Sequence, residues 1–174
     1  MSNLQYPIGK FQHEGAVTQA ELESWIQVLD QLPQRLSRAV EGLNDEQLEL
    51  PYHDGGWTIR QVVHHLADSH MNCYIRFKLA LTEDHPTIKP YMEKSWAELS
   101  DSKAPVSVSI SLFEAIHTRW VFLLQSMSSE GFDRTFYHPV YDQTYSLGIA
   151  LGMYAWHGQH HVAHITSLRE RLGI

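Results

Sequence analysis

The chain has little cysteine, little basic charge and no long apolar run, and each shortage removes a class of protein. Cys73 is the only cysteine among 174 residues, so an intramolecular disulfide is excluded and the chain suits a reducing compartment. Lys and Arg number 13 against 20 Asp and Glu, a formal net charge of -7. With no basic run to neutralise phosphates, nucleic acid is not an expected partner. No apolar stretch is long enough to span a bilayer, and Met1 to Lys10 lacks the basic-then-apolar order of a secretion signal. The expected setting is therefore cytoplasmic, without membrane contact. No serine sits in a Gly-x-Ser-x-Gly turn, and Cys73 falls on an apolar helix face, the place of a buried, inert thiol.

Histidine, by contrast, is plentiful. The stretch Tyr154-Ala155-Trp156-His157-Gly158-Gln159-His160-His161-Val162-Ala163-His164-Ile165 places four imidazoles within eight residues. Residues four apart on a helix lie on one face, which makes His157/His161 and His160/His164 geometrically sound pairs for a transition metal.

At 43% hydrophobic the 174 residues suffice for one domain with a sizeable core, taken as 1–174. Four long segments carry helical periodicity and none carries convincing strand alternation. The first opens at Thr18 with Glu21 three residues on, a capping-box pattern, and runs to Gly42, with Pro33 expected to kink or break it. The second starts after Thr58, with Gln61 at the third helical position. The third spans about Ser109 to Met127 and the fourth follows Ser146. Between the second and third lies a proline-bearing connection, Thr82 to Val108, for which a short helix around Tyr91 to Leu99 is expected. The aromatic run within Phe132 to Tyr145 suits a short hairpin. The fold class is all-α: a four-helix bundle with long connections, an architecture that builds metal sites between facing helices.

At about 100° per residue, His161 lies within about 30° of the centre of the fourth helix's apolar face and His157 about 70° from it, with His160 and His164 further out. A third ligand has to come from elsewhere, and the second helix offers His64, His65 and His70. There the phase does not choose: His70 falls on the apolar face, His64 and His65 on opposite flanks. Asp68, three residues after His65 and four after His64, is placed to orient a liganding ring or carry a proton.

The run Gly55-Gly56-Trp57-Thr58-Ile59-Arg60-Gln61-Val62-Val63-His64-His65-Leu66-Ala67-Asp68-Ser69-His70, together with Trp156-His157-Gly158-Gln159-His160-His161, resembles the DinB superfamily in its YfiT-like branch. Tyr6-Pro7-Ile8-Gly9 and Tyr137-His138-Pro139 extend the likeness over nearly the whole chain. The resemblance implies a bundle of atypical helix order, a homodimer, and one divalent metal, zinc or nickel, held between the second and last helices. Carried over by position, the ligands are His65, His157 and His161. His64, His160, His164, Tyr137 and His138 become candidates to surround the metal or line a substrate pocket, with His164 standing where much of the superfamily has glutamine.

Three protein ligands leave coordination positions open, the mark of a catalytic metal. Two chemistries follow for a small-molecule substrate: hydrolysis by metal-activated water, or transfer from a low-molecular-weight thiol such as bacillithiol or mycothiol. The resemblance implies both equally. A metallopeptidase is disfavoured, because that motif places glutamate directly after the first histidine and here the residue is Gly158. The competing class is a non-catalytic, metal-stabilised helical dimer or stress-related binding module, which requires the open positions to be blocked by protein groups.

Overall fold

Helix α1, Gln19–Val40, begins as its sequence dictates: the Thr18 hydroxyl accepts from the Glu21 amide, and the Glu21 carboxylate accepts from the Thr18 amide at 2.8 Å. In the computed structural model, which describes residues 4–174, the helix runs through Pro33 without a break, which leaves only the kink of the two expected effects. Proline lacks the N–H that would have bonded the Leu29 carbonyl. That carbonyl instead accepts the His117 Nδ1–H at 2.6 Å from another helix, so the lost bond is replaced across the core.

The short α2, Asp45–Leu48, with its own reciprocal box of Asn44 and Gln47, leads into α3, Ile59–Thr82, capped in the same way by Thr58 and Gln61. The connection that follows packs over α3 as a strap holding α4, Glu93–Trp96, and a 3-10 turn, Ser100–Lys103. Arg60 of α3 donates to Asp45 at 2.8 Å, to Glu49, and to the Ala104 carbonyl at 3.3 Å, tying α2 and the strap to one side of the bundle. Helix α5, Val106–Gln125, starts three residues earlier than its apolar pattern, directly after Pro105 and without a side-chain cap. After α6, Ser129–Asp133, the expected hairpin forms from β1, Thr135–His138, and β2, Gln143–Ser146, in antiparallel register from Thr135↔Ser146 to His138↔Gln143. Helix α7, Leu147–Leu172, is capped by the Ser146 hydroxyl and ends at Gly173, whose φ of 67° is the left-handed conformation that closes a helix.

The long helices form a closed ring of neighbours in the order α1, α7, α3, α5, so the first two in the chain lie across the diagonal from each other. Leu29, Leu32, Leu36, Phe77, Phe113, Trp120 and Leu151 fill the space between them. At Gly158 the Leu32 side chain of α1 packs directly on the α7 backbone, where any Cβ would collide with it. A glutamate at this position, as in the helical metallopeptidase motif, would have to displace the buried Leu32 side chain. Among the described residues, no helix is long and apolar enough to cross a membrane.

Candidate metal centre

Because α3 and α7 are neighbours in the ring, His65 from one meets His157 and His161, a turn apart, on the other. One ring nitrogen from each lies within 4.8 Å of the others. His65 Nε2 and His157 Nε2 are 3.2 Å apart; two nitrogens on a zinc-sized ion at tetrahedral angle would be about 3.3 Å apart. The donor set therefore fits a borderline transition metal. Trp57, just ahead of α3, lies 4.6 Å from the His65 ring and 6.4 Å from the His161 ring, covering one side. Burial pushes His65 down to about 4, and burial followed by the neighbouring imidazoles holds His157 and His161 well below the ordinary histidine range. As bare rings all three are neutral at pH 7, with a lone pair free for a cation.

Which nitrogen each α7 ring presents is set by chains of further imidazoles. A carbonyl only accepts, so the His117 nitrogen facing Leu29 carries the hydrogen. Burial pushes His117 down to about 4 and His70 far down, so each is neutral with a single N–H. His117 Nε2 therefore accepts from His70 Nδ1–H at 2.9 Å, and His70 Nε2 accepts from His157 Nδ1–H at 3.3 Å. His157 is left with Nε2 as its free lone pair, the atom that faces His65. On the other ring, His164 Nε2–H donates to the Gln5 carbonyl at 3.1 Å, and its Nδ1 accepts from His161 Nδ1–H at 3.3 Å. His161 likewise keeps Nε2 free. Metal-ligating histidines are commonly oriented by a carboxylate or carbonyl; here two imidazoles stand between His157 and its carbonyl and one between His161 and its own.

Of the remaining expected residues, His164 is thus in contact with a ligand ring and stacks on Tyr52. His160 stacks on Trp156 with centroids 4.6 Å apart and touches no ligand nitrogen by hydrogen bond. His64 is occupied elsewhere, between the Ser109 hydroxyl at 2.7 Å and the Ala104 carbonyl at 3.0 Å, where it pins the strap and α5 to α3. Asp68 is half-buried, its carboxyl pushed up to about 6 by burial and then by Asp101. It makes no hydrogen bond with a ligand ring; the orienting contacts the structure shows are on the α7 rings, made by His70 and His164. The alternation of β1 separates Tyr137 from His138. His138 faces inward, whereas Tyr137 turns away and its hydroxyl donates to Asp142 at 2.8 Å.

A cavity of about 460 Å³ opens beside the centre, walled by Tyr91 of the strap, Phe136 and His138 of the hairpin, and Met153 and Trp156 of α7, and it reaches His157. His157 is also the one partly exposed ring of the three. Sequence reasoning missed His117 and Arg76, and treated His70 only as an unresolved ligand candidate. The position of His117 on the apolar face of α5, between Phe113 and Trp120, was the signal for it.

Fold and site together define a helical bundle carrying a three-imidazole centre beside an aromatic cavity. The chain belongs to the DinB superfamily, whose model matches residues 28–165. It is 56% identical over 172 residues to a Bacillus cereus (strain ATCC 10987 / NRS 248) protein named "Putative metal-dependent hydrolase", covering 99% of both chains, and equally so to one of that description from Bacillus mycoides (strain KBAB4). The solved structure of YfiT from Bacillus subtilis, described as "a probable metal-dependent hydrolase with an unusual four-helix bundle topology", superposes with a TM-score of 0.96 at 53% identity, over 98% of each chain.

Proposed function

We propose that the protein is a metal-dependent hydrolase of small molecules, with His65, His157 and His161 holding one divalent ion, zinc or nickel. The observation that carries this reading is the convergence of three neutral imidazoles, within 4.8 Å, beside a cavity that reaches one of them; the names of the relatives point the same way. A divalent ion at such a site polarises its ligands and brings a bound water to a pKa of about 7. The chain's own groups do the rest. His70 and His164 hold the α7 rings with Nε2 forward, Trp57 keeps solvent from one side, and the cavity admits substrate from the other.

Cys73 contributes no nucleophile: it is buried beside Tyr154 and burial pushes its thiol far up. A thiol for group transfer would have to arrive from solution. The deciding experiment strips the protein with chelator, reloads it with zinc or nickel, and follows a panel of esters, amides and phosphoesters with and without small thiols. Turnover restored by metal and indifferent to thiol is the expected result. Turnover only with thiol would assign transfer instead, and turnover that survives chelation or His157→Ala would contradict the metal centre.

A further inference from the structure

Two buried arginines set the problem. Arg60 and Arg76 both belong to α3 and are each 8% exposed. Arg60 is paired with Asp45 and Glu49. Arg76 has no carboxylate within ion-pair distance among the described residues. Its contact is with a neutral group, the Tyr154 hydroxyl, to which Nη1 donates at 3.3 Å, and its Nε has no hydrogen-bond partner. A guanidinium cannot shed its proton, so removing it from water without a counter-ion is costly. Natural chains keep such a group where something else supplies the anion.

The surroundings say what that anion is. Arg76 lines the cavity that reaches His157, and so does His138, whose Nδ1 is likewise buried without a partner. The other polar groups of the inner lining are hydroxyls, from Ser69, Tyr91, Tyr145 and Tyr154, while Glu93, Lys94, Ser95 and Tyr141 stand exposed at the rim. Burial pushes Tyr91 up to about 12 and Tyr154 further still, so both phenols keep their protons. Burial, followed by the charge of Arg76, lowers His138, which is therefore neutral beside the guanidinium. Above this donor-rich floor the walls are apolar and aromatic, with Phe136, Tyr145 and Met153. Tyr154 lies one turn before His157 on α7, their ring centroids 5.5 Å apart, so a molecule anchored at Arg76 extends naturally toward the candidate metal ligands.

We propose that Arg76, assisted by His138, anchors the carboxylate of an organic-acid substrate whose apolar or aromatic body fills the cavity toward His157. This rests on the reading of the cavity as the substrate site of the metal centre. A planar carboxylate matches the guanidinium fork with two parallel bonds. A doubly charged phosphate monoester fits less well, since a single buried cation faces it and the exposed rim charges, Glu93 and Lys94, offset each other.

The test is binding, measured by calorimetry or ligand-observed NMR on chelator-treated and on zinc-loaded full-length protein. The probes are 3-phenylpropanoate, its uncharged primary amide, and phenyl phosphate. The carboxylate is expected to bind about tenfold or more tighter than the amide and tighter than the phosphate. Arg76→Met should erase that preference, Arg76→Lys should keep part of it, and Arg119→Met, on the exposed face of α5, should leave it intact. Because Arg76→Met removes an unpaired buried charge, its melting temperature should equal or exceed that of the parent. The amide comparison needs no variant and decides even if that protein folds poorly. Equal affinity for acid and amide, no binding of either, a preference for phosphate, or a preference that survives Arg76→Met would each overturn the proposal. Carboxylate selectivity that persists after metal removal, in a protein without metal-dependent turnover, would leave the anchor standing and remove the hydrolase reading alone.

Discussion

The imidazole chains behind the candidate metal centre and the floor of the neighbouring cavity are both buried polar regions, yet they are finished differently. Behind His157 every step has a partner, from His157 through His70 and His117 to the Leu29 carbonyl. Beside it, Arg76 Nε and His138 Nδ1 have none. A buried polar network that is fully satisfied rigidifies its members, while one left half-satisfied is costly. The first region is built to hold ligands still; the second is completed by a molecule from outside.

The comparison can be broken from either side. The largest effect is expected from removing a link of the satisfied chain. His70→Ala frees His157 Nδ1 and should weaken zinc binding about 10–100-fold. His117→Ala should do the same through one more ring, and should also cost about 1–3 kcal/mol for each buried group left unpaired, the Leu29 carbonyl and the His70 Nδ1–H. Competition with a chromophoric chelator reads the first quantity and urea denaturation the second. Unchanged affinity in both variants would reduce the chain to packing.

A subtler break is Pro33→Ala. It restores an N–H four residues after Leu29, which then competes with His117 for the carbonyl. Zinc affinity should fall, by less than roughly the tenfold expected of a lost ring, while α1 stays helical by circular dichroism. An affinity equal to the parent's would mean that the carbonyl serves both donors and the proline is incidental.

The smallest expected effect concerns Asp68. Its folded-state value is raised from 3.8 to about 6, so the folded chain holds that proton more tightly than the unfolded one. The associated stability is present below about pH 4 and is lost as pH rises through about 6. Asp68→Asn should therefore match the parent's melting temperature at pH 4 and exceed it at pH 8. A variant less stable at pH 8 would show that the charged carboxylate has a partner.

Much of this was legible in the chain because it is local. The capping boxes at Thr18 and Thr58 and the inward phase of His157 and His161 are decided within a few residues, and so is the hairpin before Ser146. What was not legible is the pairing across helices. His70 and His117 are 47 residues apart, and each on its own helix looks like a core histidine. Pro33 read as a kink or a break because nothing in α1 reveals that α5 supplies the missing donor. Arg76 was missed, since sequence does not show that the partners given to Arg60 are withheld from it. Tyr137 and His138 are neighbours in sequence and part only once the strand alternates.

The central claim is that α3 and α7 present three Nε2 atoms to one ion. Anomalous diffraction from crystals grown with zinc tests it directly. A single peak within about 2.0–2.1 Å of Nε2 of His65, His157 and His161, with His157 Nδ1 still on His70, is the predicted result. An ion held elsewhere, or bound through Nδ1 of His157 with the ring turned from His70, would contradict it.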